Sequence, residues 1–524
     1  MEAGFRASMS WLHTWAGVVL GGLLFAIFWM GTLSVFDREI DRWMMPMTRL
    51  PMPDRPASLD ALRPAIQEAA AAGSPFLTVV PPSDRQAFRL VWRQASQPAF
   101  RYLDPATAAA LPDPGTWAGT GFIYPFHYML HIRVGQLGMW LVGLAGMAMM
   151  TLCVSGVVIH RKLLSDFFTF RVRNKPRRLI LDLHNVVGVL GLPFHFVITL
   201  SGLIIFFANY LPGVLDVAYR GDRQVFFQES LASYSRPKLN RPGGVASLDA
   251  MVATARSAWE GEEPLFLVIR HPGDAASFVQ IGRSTANQIT TVSDALFFDA
   301  ATGALLQQRA GAGTVTSAQR FIAGLHFIQF RHWTLRWSYF ALGLLGCVLI
   351  ATGYLFWLAS RRRRHEQLGL SGVRLVEGLT IGSVSGIVIA TFAFFAINRL
   401  LPLGMTFLGQ ERAALEVWTF YLAWLAAFAH AWLRPARAWV EQCWAIGALG
   451  VMAVLLNWLT TGDHLVRSVA HRHLWGVGGL DSMLLSGAVV AMLIACKSGH
   501  RVAAPPNAGA RRVSPSPRAI PGVR

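Results

Sequence analysis

Long runs of apolar residues dominate the chain and set its fold class. Eight runs reach or approach about 20 residues, the length that an α-helix needs to cross the hydrocarbon core of a bilayer. They lie at about residues 12–36, 137–160, 181–210, 337–359, 376–399, 415–433, 441–460 and 482–497. The pattern predicts a polytopic α-helical membrane protein with about eight transmembrane helices.

Basic residues between the apolar runs predict the orientation. The link 161–180, the arginine run 361–364 and the tail after Lys497 all fall on one side if the helices alternate. Lys and Arg accumulate on the cytoplasmic side of membrane proteins. We therefore expect a multi-pass protein of the bacterial inner membrane with both termini in the cytoplasm and the long polar segments 37–125 and 211–335 in the periplasm.

Composition narrows the possible partners and cofactors. The net charge of +18 would suggest nucleic acid in a soluble protein, but 53% of the residues are hydrophobic and the positive charges flank apolar runs. We therefore expect a lipid bilayer as partner and no nucleic acid. The sequence contains no CxxCH, which excludes covalently attached haem, and no GxGxxG or GxxxxGK[ST]. Reducing power, if it is used, has to come from another molecule.

The two polar segments resemble each other. SLDALRPAIQEAAAAG from Ser58 and SLDAMVATARSAWEGEE from Ser247 each predict a serine-capped amphipathic helix, and each is followed by short β-rich runs. RYLDPATAAAL from Arg101 and LFFDAATGALL from Leu296 each predict a strand that enters an Asp-x-x-Thr turn. The segments therefore read as two related α+β domains.

The similarity continues into the apolar runs. The matching stretches are LHTWAGVVLGG from Leu12 with LHNVVGVLGL from Leu183, FIYPFHYML from Phe122 with FIAGLHFIQ from Phe321, and VSGVVIH from Val154 with ATGYLFW from Ala351. Each half is thus a helix, a soluble domain and a second helix. Such a duplication predicts a pseudo-twofold bundle with a site at the interface of the repeats.

Histidines occupy matching positions of the repeat. His13 aligns with His184, so a pseudo-twofold brings both to the same depth on facing helices, where two imidazoles can bind one haem iron. A hydrogen bond to a neighbouring helix is the alternative for any single intramembrane histidine. Small residues follow both histidines and fit either a slot for a porphyrin or close helix packing: Gly17, Gly21, Gly22, Gly188 and Gly191.

A second level of histidines is predicted above the first. Eleven residues at about 100° each place His195 on the same helix face as His184, about 16 Å higher. We expect His131 as its partner, with His127 and His326 as a second candidate pair nearer the periplasm. A tetrahedral metal site formed by these last three histidines is a competing use.

His160, next to the basic link 161–180, fits two roles. It can replace His13 as a ligand at the inner level, or it can be an interfacial residue. The sequence does not distinguish these roles.

Five stretches carry a resemblance to a known family: SMSWLHTWAGVVLG, FHYMLH, SGVVIHRKLLSDFFTFR, LDLHNVVGVLGLPFH and FFDAATG. With them the chain, from residue 1 to about 365, resembles the PepSY-associated transmembrane proteins, which include inner-membrane ferric-siderophore reductases. The resemblance implies periplasmic PepSY-like domains and non-covalently bound haem b. In the reductase branch it also implies electron delivery to ferric siderophores.

The predicted organisation follows from the repeat and the resemblance. Its boundaries are 1–36 for the first transmembrane helix, 37–125 for the first PepSY-like domain, 126–160 for the second helix, 161–180 for a basic cytoplasmic loop, 181–210 for the third helix, 211–335 for the second PepSY-like domain, 336–360 for the fourth helix, 361–500 for a C-terminal four-helix membrane region and 501–524 for a disordered cytoplasmic tail.

The function predicted from these features is a transmembrane electron relay. Two b haems would carry electrons from a quinol or a cytoplasmic reductase to a ferric siderophore in the periplasm. A siderophore or metal transporter is an alternative, although the first four apolar runs hold almost no acidic residues near their centres. A non-enzymatic anchor, whose PepSY-like domains regulate periplasmic peptidases, is another. The sequence identifies no catalytic residue.

Overall fold

The computed structural model describes residues 3–82, 86–95, 97–160, 176–211, 213, 216–217, 220–222, 234–291, 294–309, 311, 313–328 and 330–503. Its α-helices are α1 (Ala3–Ser34), α2 (Asp37–Met44), α3 (Arg63–Ala71), α4 (Tyr124–Met129), α5 (Leu137–Ile159), α6 (Pro176–Ile205), α7 (Phe207–Tyr210), α8 (Leu248–Ala258), α9 (Thr314–Phe327), α10 (Trp333–Gln367), α11 (Gly372–Leu400), α12 (Arg412–Leu433), α13 (Ala438–Thr461), α14 (Leu465–Ala470) and α15 (Trp475–Ala503). The strands are β1 (Phe76–Val80), β2 (Phe88–Gln94), β3 (Gln97–Leu103), β4 (Pro264–Arg270), β5 (Phe278–Arg283), β6 (Ala295–Asp299), β7 (Leu305–Arg309), β8 (Thr406–Phe407) and β9 (Gln410–Glu411).

Seven helices of the described chain are long and apolar enough to cross a membrane, namely α1, α5, α6, α10, α11, α13 and α15. The chain is therefore a multi-pass helical membrane protein. The run predicted at 415–433 forms α12, which has 22 residues, packs along α11 and is not among these seven. A total of eight transmembrane helices stays a prediction.

The first four long helices form a ring. α1 packs on α5 and α10, and α6 packs on the same two helices from the opposite side. The short helix α4 lies on α1, and α9 lies on α6 in the same way. The matching helices of the two repeats therefore have matching neighbours within the ring.

The two polar segments share one antiparallel sheet. Its strand order is β3-β2-β1-β4-β5-β6-β7, so the central pair β1 and β4 joins the first segment to the second. In this pair Phe76 lies opposite Arg270 and Val79 opposite Leu267. α3 and α8 cover one face, where alternating apolar side chains of both segments form a common core. The boundary between the two polar segments therefore lies between β1 and β4, in the middle of one continuous sheet.

The predicted Asp-x-x-Thr turns have the same geometry in both halves. Asp104 Oδ1 accepts hydrogen bonds from the backbone N–H groups of Ala106 at 2.8 Å and Thr107 at 3.0 Å. Asp299 Oδ1 accepts from the N–H groups of Ala301 and Thr302, both at 3.0 Å. An aspartate that binds its own following backbone is a local device for fixing such a turn.

The C-terminal helices pack on α1 and α2 of the first repeat and on α10 of the second. α11 packs on α1 and α10, and also on α12 and α13, while α15 packs on α13 and α2. Buried polar bonds complete the junction: Trp43 Nε1 donates to Asp481 Oδ1 at 2.7 Å, and the Thr116 hydroxyl donates to Glu416. Most of the basic loop predicted at 161–180, and the tail predicted at 501–524 beyond residue 503, lie outside the described residues.

Candidate functional site

Two cavities lie inside the ring of α1, α5, α6 and α10. The inner cavity, farther from the sheet, has a volume of about 360 Å³. The outer cavity, nearer the sheet, has a volume of about 130 Å³. Both are lined mainly by apolar side chains, and Leu24 and Met149 line both. The cavities are therefore neighbours in the interior of the bundle.

His13 of α1 and His184 of α6 meet in the inner cavity. Their ring centroids are 6.5 Å apart and their planes are nearly perpendicular, at 85°. Nδ1 of His13 lies 3.0 Å from the Ser155 hydroxyl, and Nδ1 of His184 lies 3.3 Å from the Thr352 hydroxyl. Ser155 and Thr352 occupy matching positions in the repeat. The pair that the sequence predicted is brought together, with equivalent support from each half.

The hydrogen bonds determine which ring nitrogen carries the proton. Ser155 donates its only hydroxyl proton to the carbonyl of Thr151, at 2.6 Å, so it accepts a proton from His13 Nδ1. His184 Nδ1 lies 3.0 Å from the carbonyl oxygen of Leu349, which can only accept. Both rings are therefore Nδ1–H tautomers, and Nε2 of each has a free lone pair, the form that ligates a metal.

Glycines in matching positions line the inner cavity: Gly17 with Gly188, and Gly156 with Gly353. A Cβ atom at Gly156 would lie 3.4 Å from Cε1 of His13. One at Gly353 would lie 3.3 Å from Cε1 of the partner ring. The absence of side chains at these positions gives both rings room and leaves open space beside them.

From the sequence, Gly21, Gly22 and Gly191 have two possible roles, namely a slot for a porphyrin or close helix packing. Gly21 lines the inner cavity. A Cβ atom at Gly22 would lie 2.5 Å from the Ser383 hydroxyl of α11, so this glycine serves helix packing. Gly191 accommodates the ring of His195, since a Cβ atom there would lie 2.8 Å from its Nδ1.

His127 of α4 and His326 of α9 meet in the outer cavity. Their ring centroids are 5.9 Å apart and their planes enclose 26°. His127 Nδ1 lies 2.9 Å from the carbonyl oxygen of Ile27, and His326 Nδ1 lies 2.8 Å from that of Ile198. Ile27 and Ile198 are related by the same offset along the chain as His13 and His184. These rings are thus also Nδ1–H tautomers with an unprotonated Nε2.

Gly31 and Gly202 make the outer pair possible. A Cβ atom at Gly31 would lie 2.6 Å from Cε1 of His127, and one at Gly202 would lie 2.9 Å from Cε1 of His326. Real Cβ atoms do not approach other atoms so closely, because packed interiors leave no room for such overlap. Both histidines therefore depend on a glycine of the facing helix.

The structure does not bring His195 and His131 together. His195 lines the inner cavity on the His184 face of α6, but its Nε2 lies 3.1 Å from the carbonyl oxygen of Leu342 and its ring packs on Phe28. Nδ1 of His195 is buried and has no hydrogen-bond partner among the described residues. The partner that the sequence predicted for it is replaced by a backbone carbonyl of α10.

His131 lies in the turn between α4 and α5, outside both cavities as far as the described residues line them. Its ring packs on Trp117 and Phe122, and its Nε2 lies 3.2 Å from a guanidinium nitrogen of Arg133. Burial, together with the Arg133 cation, lowers the pKa of His131 to about 4. The helix that was expected to carry it ends at Met129, and His131 has a left-handed backbone with φ of 52°.

The tetrahedral site considered for His127, His131 and His326 is not assembled. Within the described residues, no group of three or more His, Cys, Asp or Glu side chains is placed to hold a metal ion. His160 follows the last residue of α5 and lines the inner cavity. It stays an alternative ligand there, as the sequence left it.

Sequence reasoning missed the groups that hold the histidine rings. Ser155 and Thr352 stand in the aligned stretches VSGVVIH and ATGYLFW, so a search of these stretches for matching hydroxyl groups would have found them. The carbonyls of Ile27 and Ile198 carry no signal in the sequence. Only the packing of α4 on α1 and of α9 on α6 creates their contacts.

Comparison with known proteins covers the part of the chain that forms the ring and the sheet. The sequence profile of the PepSY-associated TM region matches residues 10–360. An uncharacterized protein of Pseudomonas aeruginosa is 30% identical over 356 residues, an alignment that covers 63% of this chain and 85% of the relative. The matched region contains both histidine pairs and both halves of the sheet. It ends before α11.

Proposed function

Since this chain belongs to the family of PepSY-associated transmembrane proteins, we propose that it is a di-haem b electron-transfer protein of the bacterial inner membrane that reduces ferric siderophores in the periplasm. His13 and His184 would hold the inner haem, and His127 and His326 would hold the outer one. This assignment replaces the pairing of His195 with His131 at the outer level.

The observation that carries the proposal is the symmetry of the two histidine pairs. Each pair takes one ring from each repeat, and every ring donates through Nδ1 to an oxygen of the surrounding helices. Histidines that bind metals in proteins usually donate their other ring N–H in this way. A chance pair of hydrogen-bonded histidines has no reason to be repeated at two levels with the same tautomer.

The ring separations fit one metal between each pair. Each metal–imidazole bond would be about 2 Å long, so two rings that share one metal would have centres within about 6–7 Å of each other. The measured centroid distances are 6.5 Å in the inner cavity and 5.9 Å in the outer cavity. The glycines beside the rings and the apolar walls fit a flat hydrophobic group and exclude water from it.

The levels are spaced for a relay. His13 and Ile27, whose carbonyl holds the outer ring of His127, are both on α1, and a rise of 1.5 Å per residue puts them about 21 Å apart. The hydrocarbon core is about 30 Å thick, so an electron needs intermediate redox centres to cross it. Haem b, when bound, supplies reversible one-electron chemistry.

The protein itself would supply orientation and insulation. The Nδ1 bonds keep the rings from rotating and keep Nε2 unprotonated, and the close helix packing sets the distance between the levels. The substrate is the ferric chelate: one electron converts Fe(III) to Fe(II), which siderophores bind much more weakly. The electron comes from a quinol or a cytoplasmic reductase.

Absorption spectroscopy of the purified full-length chain tests the cofactor. We expect a dithionite-reducible b-type spectrum with two haems per chain after expression with ample haem. H184A should lose the inner haem and H326A the outer one, so each variant retains one. H131A is the matched control, because His131 lies in the same bundle but lines neither cavity, and it should retain both. A colourless wild-type protein, or equal loss in all three variants, contradicts the proposal.

Reduction of the substrate needs a second measurement. The protein is reduced, freed of excess dithionite under anaerobic conditions and mixed with a ferric hydroxamate chelate in the presence of a Fe(II) trap. We expect the reduced haem band to decay as the Fe(II) complex forms, with about one iron reduced per electron stored. If the chelate does not oxidise the haem-loaded protein, the electron relay still stands, but the ferric siderophore is not its acceptor.

A further inference from the structure

A third cavity lies outside the haem-binding ring, between the first repeat and the C-terminal helices. Its volume is about 460 Å³. It is bounded by the segment after α2, the end of α11, the start of α12 and the loop from α13 to α14. These parts all lie on the side of the bundle that carries the sheet. The cavity therefore opens toward the compartment that contains the sheet.

The walls of this cavity are strongly basic. Four arginines line it, namely Arg49, Arg399, Arg412 and Arg467, together with His473 and one carboxylate, Asp463. Asp463 is already bonded to two of these arginines, at 2.8 Å from Arg49 and 3.3 Å from Arg467. The cationic side chains thus exceed the acidic ones among the described residues of the lining.

Two of the four arginines are fully used in holding the structure together. Arg49 donates to Asp463, Thr461 and Asn457 and to the backbone carbonyls of Arg42 and Trp43 in α2. Arg412 bonds the carbonyls of Pro114 and Leu401 and lies 3.4 Å from Glu416. These two contribute positive potential to the cavity but have few free donors.

Arg399 differs from them because it has donors to spare. Its guanidinium lies 4.7 Å from the ring centre of Trp43 and donates one bond to the Trp43 carbonyl. Its Nε is buried and has no hydrogen-bond partner among the described residues, and no carboxylate there lies within ion-pair distance of it. A buried guanidinium nitrogen without an acceptor is costly, so an acceptor from outside the described chain would stabilise it.

We propose that this cavity binds a phosphate group, with Arg399 and Arg467 as its principal donors. Guanidinium groups bind phosphate with two parallel hydrogen bonds, and the neighbouring Arg49 and Arg412 add positive potential at the cavity wall. The phosphate belongs either to a soluble anion of that compartment or to the headgroup of a phospholipid in the facing leaflet. Asn398, whose Oδ1 is also buried without a partner, provides an acceptor for a water or hydroxyl that accompanies the anion.

The test uses the full-length protein in detergent and measures thermal stability against inorganic phosphate at constant ionic strength, with chloride as the reference anion. A second arm measures retained phospholipid by native mass spectrometry after delipidation and addition of phosphatidylglycerol. A response to inorganic phosphate supports a soluble ligand. Specific retention of phosphatidylglycerol without a phosphate response supports a headgroup.

Two variants decide between specific binding and general attraction. R399Q should weaken the response at least tenfold, because a charged hydrogen bond is lost. R374Q is the matched control, since Arg374 is an exposed arginine at the other end of α11, and it should behave like the wild type. If R399Q does not fold, R467Q serves instead, because the Arg467 side chain is 53% exposed and contributes less to packing. If these variants and R374Q respond equally in both arms, the proposal is wrong. The haem spectrum of each variant is also recorded, and an unchanged spectrum shows that the phosphate result does not depend on the electron relay.

Discussion

Asp60 and Asp249 cap each other's helices across the boundary between the repeats. Asp60 accepts from the Ser247 hydroxyl at 2.6 Å and from the backbone N–H of Leu248 at 2.8 Å. Asp249 accepts from the Ser58 hydroxyl and, at 2.9 Å, from the N–H of Leu59. The repeated motif Ser-Leu-Asp therefore does more than start two helices, because it also joins the two halves of the sheet.

Removing one of these caps should loosen the junction. We expect D60N to lower the free energy of unfolding of the sheet region by about 1 kcal/mol, since a helix cap and a charged hydrogen bond are weakened. Hydrogen exchange of the β1 and β4 amides in the full chain measures the effect. D54N is the control, because Asp54 is exposed and lies outside this junction. Equal exchange in the two variants would show that the reciprocal caps contribute nothing.

The outer histidine pair should be sensitive to a single methyl group. G31A places a Cβ atom where His127 Cε1 is 2.6 Å away, so the ring has to move. We expect loss of the outer haem with retention of the inner one, seen as half the haem per chain in the reduced spectrum. G4A, at the start of the same helix, has no atom within 4 Å of the added methyl and should retain both haems. Full haem content in G31A contradicts the assignment of the outer site.

The inner pair should respond unequally to loss of its two hydroxyl groups. S155A removes the hydroxyl 3.0 Å from Nδ1 of His13 and leaves it only a weaker contact with the Leu152 backbone, whereas T352V leaves His184 the carbonyl of Leu349 at 3.0 Å. Loss of such a supporting bond typically lowers metal affinity by about 10-fold to 100-fold. We expect S155A to weaken inner haem retention, measured by haem transfer to apomyoglobin, more than T352V does. The reverse order would contradict the tautomer assignment.

His131 should make the stability of the protein depend on pH. The pKa of His131 is lowered to about 4 from its ordinary value of 6.5. Between these values the unfolded side chain binds a proton that the folded one does not bind, so stability falls as the pH drops from 6.5 toward 4. In H131Q the melting temperature should fall less steeply over this window. Identical slopes in the two proteins would show that His131 is not responsible.

The sequence was sufficient for the class of fold and for the meeting of His13 with His184, and the reason is the repeat. His13 and His184 align without a gap, so one symmetry operation predicts their meeting. The pair of His127 and His326 was only the second choice, because the second helix was expected to run unbroken over 126–160 and to carry His131. The chain instead leaves α4 through left-handed residues at Leu130 and His131, which no local pattern reports. The shared sheet was missed for a similar reason, since strand pairing between distant segments has no periodic signal.

The buried pair Arg412 and Glu416 indicates what the C-terminal helices do for the first repeat. The Glu416 side chain is fully buried, bonds Asn398 at 2.8 Å and accepts from Thr116, which precedes α4 and therefore His127. E416Q removes the carboxylate that lies 3.4 Å from Arg412, and weakening such a buried hydrogen-bonded contact costs on the order of 1–3 kcal/mol. We expect a clear drop in the melting temperature of the detergent-solubilised chain.

E441Q is the matched control for E416Q. Glu441 pairs with His430 at 2.8 Å, but both side chains are 31% exposed, so loss of this pair should cost little. Because Thr116 leads into α4, E416Q should also release the outer haem more readily than the inner one during thermal unfolding, followed at the haem absorption band. If the two haems are lost together at the same temperature in E416Q and in E441Q, the C-terminal helices do not support the outer site.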